Sequence, residues 1–207
     1  SLCLLFKKNK SKKTLVLTLD AFGDHINYSA TIFNINSNKT LTTKKIVEGN
    51  DFIIGRLYRY VTLILGLKPN EHEYKVMGLA PYCKPHYSEK IIKTFENFQK
   101  VKGIKFSYIN KPKDFYFEIK KCLDGQRFDT IASGLQTYTE NLIMHWIKNL
   151  VKKTKVHNLC LAGGVSMNVK TNMLIAKINK KINLYVPACP DDASQAMGAC
   201  YASLLNK

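Results

Sequence analysis

The stretch Leu159–Asn168, with the sequence Leu-Cys-Leu-Ala-Gly-Gly-Val-Ser-Met-Asn, decides the fold class of this chain. Its first residues are apolar without polar alternation, which is typical of a β-strand buried on both faces. Gly163 and Gly164 then predict a tight turn, because a residue without Cβ tolerates positive φ and lets a ligand approach the backbone. A helix beginning at about Ser166 would offer free N–H groups and a positive dipole end to a phosphate. The alternative is a plain strand-to-helix turn, since a short glycine motif is weak evidence by itself.

Regular elements are predicted on both sides of the glycine turn. Apolar residues recur every three or four positions over 127–153, which predicts a long helix before it. A strand over 182–186 and a helix over 193–205 follow it, and we expect Asp192 to cap that last helix. Trp146 lies in the apolar stripe of the long helix and is therefore expected in the core, not in a ligand site.

The first half of the chain predicts strands and then helices. Three strands within 14–47 read as a β-meander, and the first of them ends at Asp20. We expect Asp51 near the N-cap of the next helix. Helices are predicted after the meander over residues 51–65, over a short segment at 74–79, and over an amphipathic segment at 88–100. The chain is thus predicted to contain a meander over 14–47, a helical insertion over 51–125 and a βα nucleotide-binding part over 127–207.

The charge of the chain is strongly positive. It has 32 Lys and Arg residues against 15 Asp and Glu, a formal net charge of +17, and only three of the basic residues are arginine. Proteins that recognise a specific nucleic-acid sequence rely on arginine for bidentate contacts with bases and phosphates. The lysine-rich composition of this chain therefore favours a solvated surface over sequence-specific binding of nucleic acid. We expect weak, non-specific binding to polyanions and no specific nucleic-acid partner.

The cysteine pattern and the hydropathy of the chain favour a cytoplasmic protein over a secreted or membrane protein. None of the six cysteines forms a Cys-x-x-Cys pair, and Cys160 and Cys200 lie in apolar, core-like settings. This indicates reduced thiols in a cytoplasmic protein, not a disulfide framework or a zinc ribbon. No apolar run is long enough for a membrane span, so no membrane partner is expected. The chain begins with Ser1 and not with Met, and we interpret it as a fragment or a processed piece.

Carboxylates stand at comparable places in two predicted strand-to-turn junctions. Asp20 ends the first strand, and Asp191 and Asp192 lie between the last strand and the last helix. Carboxylates at strand ends beside a phosphate-binding turn favour a metal or nucleotide-phosphate site. The order of elements is typical of an α/β protein with an actin-like, ribonuclease-H-like ATPase fold, of which this chain is largely the second half with a helical insertion.

Four motifs resemble those of the O-carbamoyltransferases of the nodulation protein U and cephalosporin hydroxymethyl carbamoyltransferase type. Residues 73–82 resemble the signature EYKVMGLAPYG, residues 162–168 resemble AGGVALN, and residues 187–199 resemble PAxxDxGxAxGAA. Residues 17–24 resemble a fourth motif of the family, TVDGxGD. The motifs occur in the family's order across nearly the whole chain.

This resemblance implies a function and a set of ligands. Family members transfer a carbamoyl group from carbamoyl-adenylate, made from carbamoyl phosphate and ATP, to a hydroxyl of a small molecule or sugar. The family's metal, of the iron type, is held by two histidines of an upstream H-x-x-x-H helix and by two aspartates. By motif position the aspartates here are Asp20 and Asp192.

The resemblance and the residue chemistry together give each candidate side chain a role. Gly163, Gly164 and Asn168 are predicted to bind the adenylate through backbone N–H groups and an amide. Lys75 would neutralise a phosphate or carbamoyl oxygen, and Glu73 would position or deprotonate the acceptor hydroxyl.

Each of these roles has a structural alternative. Asp20 could simply be a turn acid, and Asp192 a helix cap. The glycines and Asn168 could serve the packing between strand and helix. Glu73 and Lys75 could form a surface ion pair of little energetic value. His25 and His72 are expected in exposed loops, because lone histidines carry little signal.

The chain departs from the family pattern in ways that affect its activity. The H-x-x-x-H helix and the adenylate-forming domain are not within these residues, and Ala21, Cys83 and Ser194 replace glycines of the motifs. We therefore expect this piece to be inactive alone. Two other hypotheses stay open at this point: another actin-like ATP-binding protein, such as a sugar kinase or a threonylcarbamoyl-transferase-like protein, and a non-catalytic polyanion-binding module. The acceptor and the oligomeric state are not encoded in any motif.

Overall fold

The chain folds into a mixed α/β structure, seen here in a computed structural model that describes residues 13–23, 25–35 and 41–205. By residue contacts it divides into two units, one formed by Ser1–Phe52 with Ile147–Lys207 and the other by Ile53–Trp146. The strands of the described part are β1 Lys13–Leu19, β2 Tyr28–Ile35, β3 Leu41–Gly49, β4 Gln99–Lys102, β5 Lys105–Tyr108, β6 Asn158–Ala162 and β7 Asn183–Tyr185. Its helices are α1 Ile54–Ile64, α2 Glu73–Leu79, α3 Glu89–Glu96, α4 Phe115–Leu123, α5 Phe128–Thr154, α6 Val169–Ala176 and α7 Gln195–Leu205.

A five-stranded sheet of order β3-β2-β1-β6-β7 organises the first unit. β1 pairs antiparallel with β2 and β2 with β3, whereas β6 runs parallel to β1 and to β7. The register Thr18 to Ala162 brings the ends of β1 and β6 side by side. Leu159, Cys160 and Leu161 are all buried, so the prediction of a strand covered on both faces is confirmed.

The helix predicted over 51–65 begins later, at Ile54, and Asp51 is not its N-cap. Asn27 explains the late start. Its side-chain amide donates to the carbonyl of Phe52 at 2.6 Å, and its oxygen accepts from the N–H of Phe52 at 3.1 Å. Because both backbone groups of Phe52 are hydrogen-bonded to a buried amide, they are not part of the helix, which begins only after this residue.

The helix predicted over 88–100 ends at Glu96, and the hairpin β4–β5 follows it. Burial alternates along β4, with Gln99 and Val101 inside and the two lysines outside. This period of two is a strand signal that the longer helical pattern obscured. The hairpin lies inside the segment predicted as a helical insertion over 51–125, and the boundaries of that segment stay a prediction.

The long helix predicted over 127–153 is confirmed as α5, Phe128–Thr154. Its predicted apolar stripe is buried, and Trp146 is fully enclosed, with its indole N–H donating to the carbonyl of Ile104 at 2.8 Å. Trp146 is therefore a core residue, as predicted.

Of the two cysteines predicted in core-like settings, one is buried and the other is exposed. Cys160 is buried, but Cys200 is exposed on α7, so its expected core position was wrong. α7 is apolar in composition, and the residues Gln195–Cys200 nevertheless lie open to solvent. Apolar composition alone therefore misplaced this thiol. All five cysteines of the described part are free.

Candidate functional site

Asp20 stands directly beyond β1, at the edge where the parallel strands end. Its N–H donates to the carbonyl of Asn27 at 2.9 Å, and its carboxylate accepts the N–H of Ala21 at 2.6 Å. The N–H of Gly164 also donates to this carboxylate. Asp20 is thus half-buried and held in one orientation by the backbone around it.

Among the described residues, the charged groups that shift the pKa of Asp20 are both carboxylates. Burial raises the pKa of the Asp20 carboxyl, the hydrogen bonds from Ala21 and Gly164 lower it, and the nearby Asp192 and Asp191 carboxylates raise it, so that the net shift is upward. Asp192 contributes more of this repulsion than Asp191 does. A cation placed among these carboxylates would relieve the repulsion.

The Gly163–Gly164 turn packs against the end of β1. Gly163 has φ of +91°, and a Cβ on it would lie 2.2 Å from the carbonyl oxygen of Leu19. Its N–H donates to the carbonyl of Pro190 at 2.6 Å. Three segments therefore converge here: the end of β1, the turn after β6 and the loop after β7.

The N–H groups of Gly163 and Gly164, which were predicted to bind the adenylate, have partners within the chain. The N–H of Gly163 is taken by Pro190, and that of Gly164 by Asp20. Gly164 leaves space beside the backbone, since among the described residues a Cβ on it would have only the Asp20 Oδ1, at 3.6 Å, within contact distance, whereas the backbone of Leu19 fills the space at Gly163.

Asn168 caps a helix that starts later than predicted. A 3₁₀ turn over Gly164–Met167 follows the glycine turn, and α6 begins at Val169 instead of near Ser166. The Asn168 side-chain oxygen accepts the N–H of Thr171 at 3.0 Å. The Ser166 hydroxyl donates to the carbonyl of Ala162 at 2.8 Å, which closes the intervening turn. The side-chain amide that was predicted to bind the adenylate thus serves, through its oxygen, as the N-cap of α6.

The two neighbouring aspartates divide the tasks that the sequence assigned to Asp192. A 3₁₀ turn over Asp192–Ser194 precedes α7, and Asp191, not Asp192, is the N-cap of that turn. The Asp191 carboxylate accepts the N–H of Ala193 at 3.2 Å. Asp192 is exposed and accepts a hydrogen bond from the Gln195 side chain at 3.3 Å. The capping role expected for Asp192 was therefore wrong, and its carboxylate is available to a ligand.

Glu73 and Lys75 lie on α2, in the second unit. Glu73 accepts the N–H of Asn70 at 2.6 Å, and the Lys75 Nζ lies 2.9 Å from the Nε2 of His72. The His72 ring in turn accepts the N–H of Lys68 at its Nδ1, at 3.1 Å. Within the described ranges Glu73 and Lys75 form no ion pair with each other, and His72, expected in an exposed loop, is half-buried.

Asp20 and Asp192 would supply two carboxylate oxygens to a divalent metal, a donor set that suits iron or another hard cation. No group of three or more His, Cys, Asp or Glu side chains able to hold a metal occurs among residues 13–23, 25–35 and 41–205. Asp20 and Asp192 are thus two of the ligands that a metal site at this place would need.

The sequence missed two partners of the site. Neither the Pro190 carbonyl that receives the Gly163 N–H nor the Asn27 carbonyl that receives the Asp20 N–H has a residue-type signal, because both act through the backbone. The double aspartate was visible in the sequence, but its division into a cap and an exposed carboxylate depends on loop geometry. No helix in the described segments is both long and apolar enough to span a bilayer.

Comparisons with known proteins agree with the motif resemblance. The sequence profile of the family described as "Carbamoyltransferase N-terminus" matches residues 6–201. The chain is similar to an uncharacterized protein of Methanocaldococcus jannaschii, with 30% identity over 205 residues that make up 96% of this chain and 38% of that protein. It is similar to nodulation protein NolO of Bradyrhizobium diazoefficiens, with 24% identity over 94% of this chain and 35% of that protein.

A further similarity is to an enzyme of tRNA modification. The tRNA N6-adenosine threonylcarbamoyltransferase of Mycoplasma capricolum is 26% identical over 165 residues, 76% of this chain and 50% of that protein. The chain thus spans between about a third and a half of the length of these relatives.

Proposed function

Since the chain belongs to the carbamoyltransferase N-terminal family, we propose that its protein transfers a carbamoyl group to a hydroxyl of a small molecule or sugar. The observation that carries this proposal is the convergence of Asp20, the Gly163–Gly164 turn and the Asp192 loop at one edge of the sheet. These are three of the four segments that resemble the family's motifs, and the fold brings them together although they are far apart in the chain.

We propose an actin-like, ribonuclease-H-like fold for the first unit. Its sheet order β3-β2-β1-β6-β7, antiparallel on one side of β1 and parallel on the other, supports this assignment. Similarity to the threonylcarbamoyltransferase of Mycoplasma capricolum supports it as well. In open sheets of this kind ligands bind beyond the carboxyl ends of the strands, where Asp20 and Gly163 lie.

The proposed donor is carbamoyl-adenylate, formed from carbamoyl phosphate and ATP. We place it over the Gly163–Gly164 turn, because the missing Cβ of Gly164 leaves the backbone accessible there. Asp20 and Asp192 would hold a divalent metal, which the resemblance implies is iron. When bound, this metal supplies positive charge for the phosphate or carbamoyl oxygens of the donor.

In the transfer step the acceptor oxygen bonds to the carbamoyl carbon, the bond from that carbon to the phosphate oxygen breaks, and AMP leaves. For Glu73 and Lys75, on α2 of the second unit, the roles that the resemblance implies stay proposals about that unit by itself: Glu73 as an acceptor of a hydroxyl proton and Lys75 as a cation for negative charge on oxygen. The contact between Lys75 and His72 fixes the position of the Lys75 ammonium group on α2.

The test uses the full-length product of the gene. It is incubated with carbamoyl phosphate, ATP and a panel of sugars and other hydroxyl compounds, and mass spectrometry detects the carbamate ester and the released AMP. We expect Asp192→Asn to lower the rate by about 100-fold or more, the scale expected when a group acting in the transition state is lost.

Asp191→Asn is the matched control, because it alters the neighbouring carboxylate, which caps the turn over Asp192–Ser194 and acts less on Asp20 than Asp192 does. We expect it to keep the rate within a few-fold of the wild type. Equal losses in both variants would argue against a specific role for Asp192. A product that forms without carbamoyl phosphate would overturn the assigned donor.

Threonylcarbamoyl transfer to tRNA is the second candidate, because of the similarity to the Mycoplasma capricolum enzyme. The same assay separates the two functions when threonylcarbamoyl-adenylate is added as a donor and tRNA as an acceptor. Modification of tRNA without any carbamate on the hydroxyl compounds would select the second candidate.

A further inference from the structure

Arginine is scarce in this chain, and its use is selective. Only three of the 32 basic residues are arginine, and one of these, Arg127, forms a two-bonded pair with Asp129 at 3.1 Å for both bonds. Arg56 lies on α1 and is half-buried, whereas Arg59, one turn further, is exposed. Because lysine serves elsewhere as the surface cation, the planar guanidinium at position 56 calls for a specific explanation.

Arg56 sits in an aromatic setting within the second unit. Its Nη2 donates to the hydroxyl of Tyr108 at 3.1 Å, and its guanidinium carbon lies 5.9 Å from the centre of the Phe115 ring. Its Nε is buried and has no acceptor among the residues that the structure describes. A buried donor of a charged group without an acceptor is costly, and native proteins keep few of them.

A second cation approaches the same tyrosine. The Lys111 Nζ lies 5.0 Å from the centre of the Tyr108 ring. Across the described ranges no carboxylate lies within ion-pair distance of Arg56 or of Lys111. The acids of α4 are engaged elsewhere: Asp114 accepts the N–H of Phe117 as the helix cap, and Glu118 accepts from the Cys122 thiol.

From this arrangement we propose that Arg56 and Lys111 bind the oxyanion, a phosphate or a carboxylate, of a small ligand. Two like charges on one tyrosine repel each other, and an anion between them would remove that repulsion. The Tyr108 hydroxyl and the Phe115 ring hold the guanidinium in place before binding, so its planar fork is preorganised for two parallel hydrogen bonds. This inference is independent of the proposed carbamoyl transfer.

The test is calorimetric titration of the chain with inorganic phosphate and, separately, with acetate, at constant ionic strength. We expect one saturable site for at least one of the two probes, and the tighter probe identifies the class of oxyanion. Arg56→Lys keeps the charge but removes the fork and the stacking, and it should weaken binding by at least about tenfold, as expected for one charge-assisted hydrogen bond.

Arg59→Lys is the matched control on the same helix and should bind like the wild type. Binding that is unchanged in Arg56→Lys, or that consists only of weak, multiple-site association in the wild type, would overturn the proposal. If circular dichroism shows that Arg56→Lys does not fold, Lys111→Gln, at an exposed position, decides instead. Unchanged affinity in that variant would equally contradict the site.

Discussion

Gly163 is a position where no other residue fits. Its φ of +91° is strained for any L-residue with a side chain, and a Cβ would lie 2.2 Å from the Leu19 carbonyl oxygen. We expect Gly163→Ala to lower the free energy of unfolding by about 3 kcal/mol or more, because conformational strain and a backbone clash add. Urea denaturation monitored by circular dichroism measures this loss.

Gly125→Ala separates the two contributions. Gly125 has φ of +69°, but nothing lies within 4 Å of the position that its Cβ would take. This variant should lose only about 1–2 kcal/mol, the cost of the left-handed conformation alone. Equal losses at both positions would show that the approach of β1 to Gly163 is not tight.

The Cys160 thiol should be inert at a pH where exposed thiols react. Burial raises its pKa to about 11, so at pH 8 it is fully protonated and lacks the reactive thiolate form. Cys189 and Cys200 are exposed. Brief alkylation with iodoacetamide at pH 8, followed by peptide mapping, should label those two and leave Cys160 unmodified. Labelling of Cys160 at the same rate would mean that β6 is open to reagent.

At the scale of the helix, one substitution should have opposite effects in two helices. A Cβ on Gly134 of α5 would lie 2.5 Å from the Ile91 side chain of α3, which is fully buried and β-branched. Gly134→Ala should therefore destabilise the protein by about 1–3 kcal/mol through overpacking. Gly78 of α2 is exposed with nothing near its Cβ position, so Gly78→Ala should stabilise by about 0.5–1 kcal/mol.

Thermal and urea unfolding of the two variants test this contrast. Because the substitution is identical, its effect on the unfolded chain is similar in both, and the difference reports on packing in the folded state. Two stabilising substitutions would indicate that α3 and α5 are not in close contact at Gly134.

Elements with a strong local signal were predictable, and their boundaries were not. The stripe of α5 repeats over several turns, so its period identifies it with little dependence on the rest of the molecule. The start of α1 depends on Asn27, which is distant in sequence and binds the backbone of Phe52. The end of α3 depends on β5, whose pairing with β4 takes residues that a helical pattern had included.

The candidate site shows the same limit. Asp20 and the glycine turn could be identified from strand-end chemistry and motif resemblance. Whether Asp191 or Asp192 is the cap depends on the path of the loop, which local propensity does not determine. The contacts of Pro190 and Asn27 with the site run through carbonyl groups, which every residue possesses and which therefore carry no sequence signal.

For the whole molecule, the charge of +17 predicts weak association with polyanions. Because the charge is carried mainly by lysine, binding to DNA should be independent of sequence and should weaken steeply as salt is raised. Fluorescence anisotropy with two unrelated duplexes between 50 and 200 mM salt, a range in which about six phosphate contacts cost roughly 10³-fold in affinity, measures both properties. A marked preference for one duplex would contradict this prediction and indicate sequence-specific binding of DNA.

The pairing of β1 with β6 has a consequence for synthesis on the ribosome. Leu15 lies opposite Leu159, so the first strand is made long before its parallel neighbour emerges. During translation β1–β3 can pair with one another. The edge of β1 that will pair with β6 keeps unpaired backbone N–H and C=O groups during this time, and these can pair with other nascent chains. Chaperone demand should therefore peak before β6 leaves the exit tunnel and fall once it has paired.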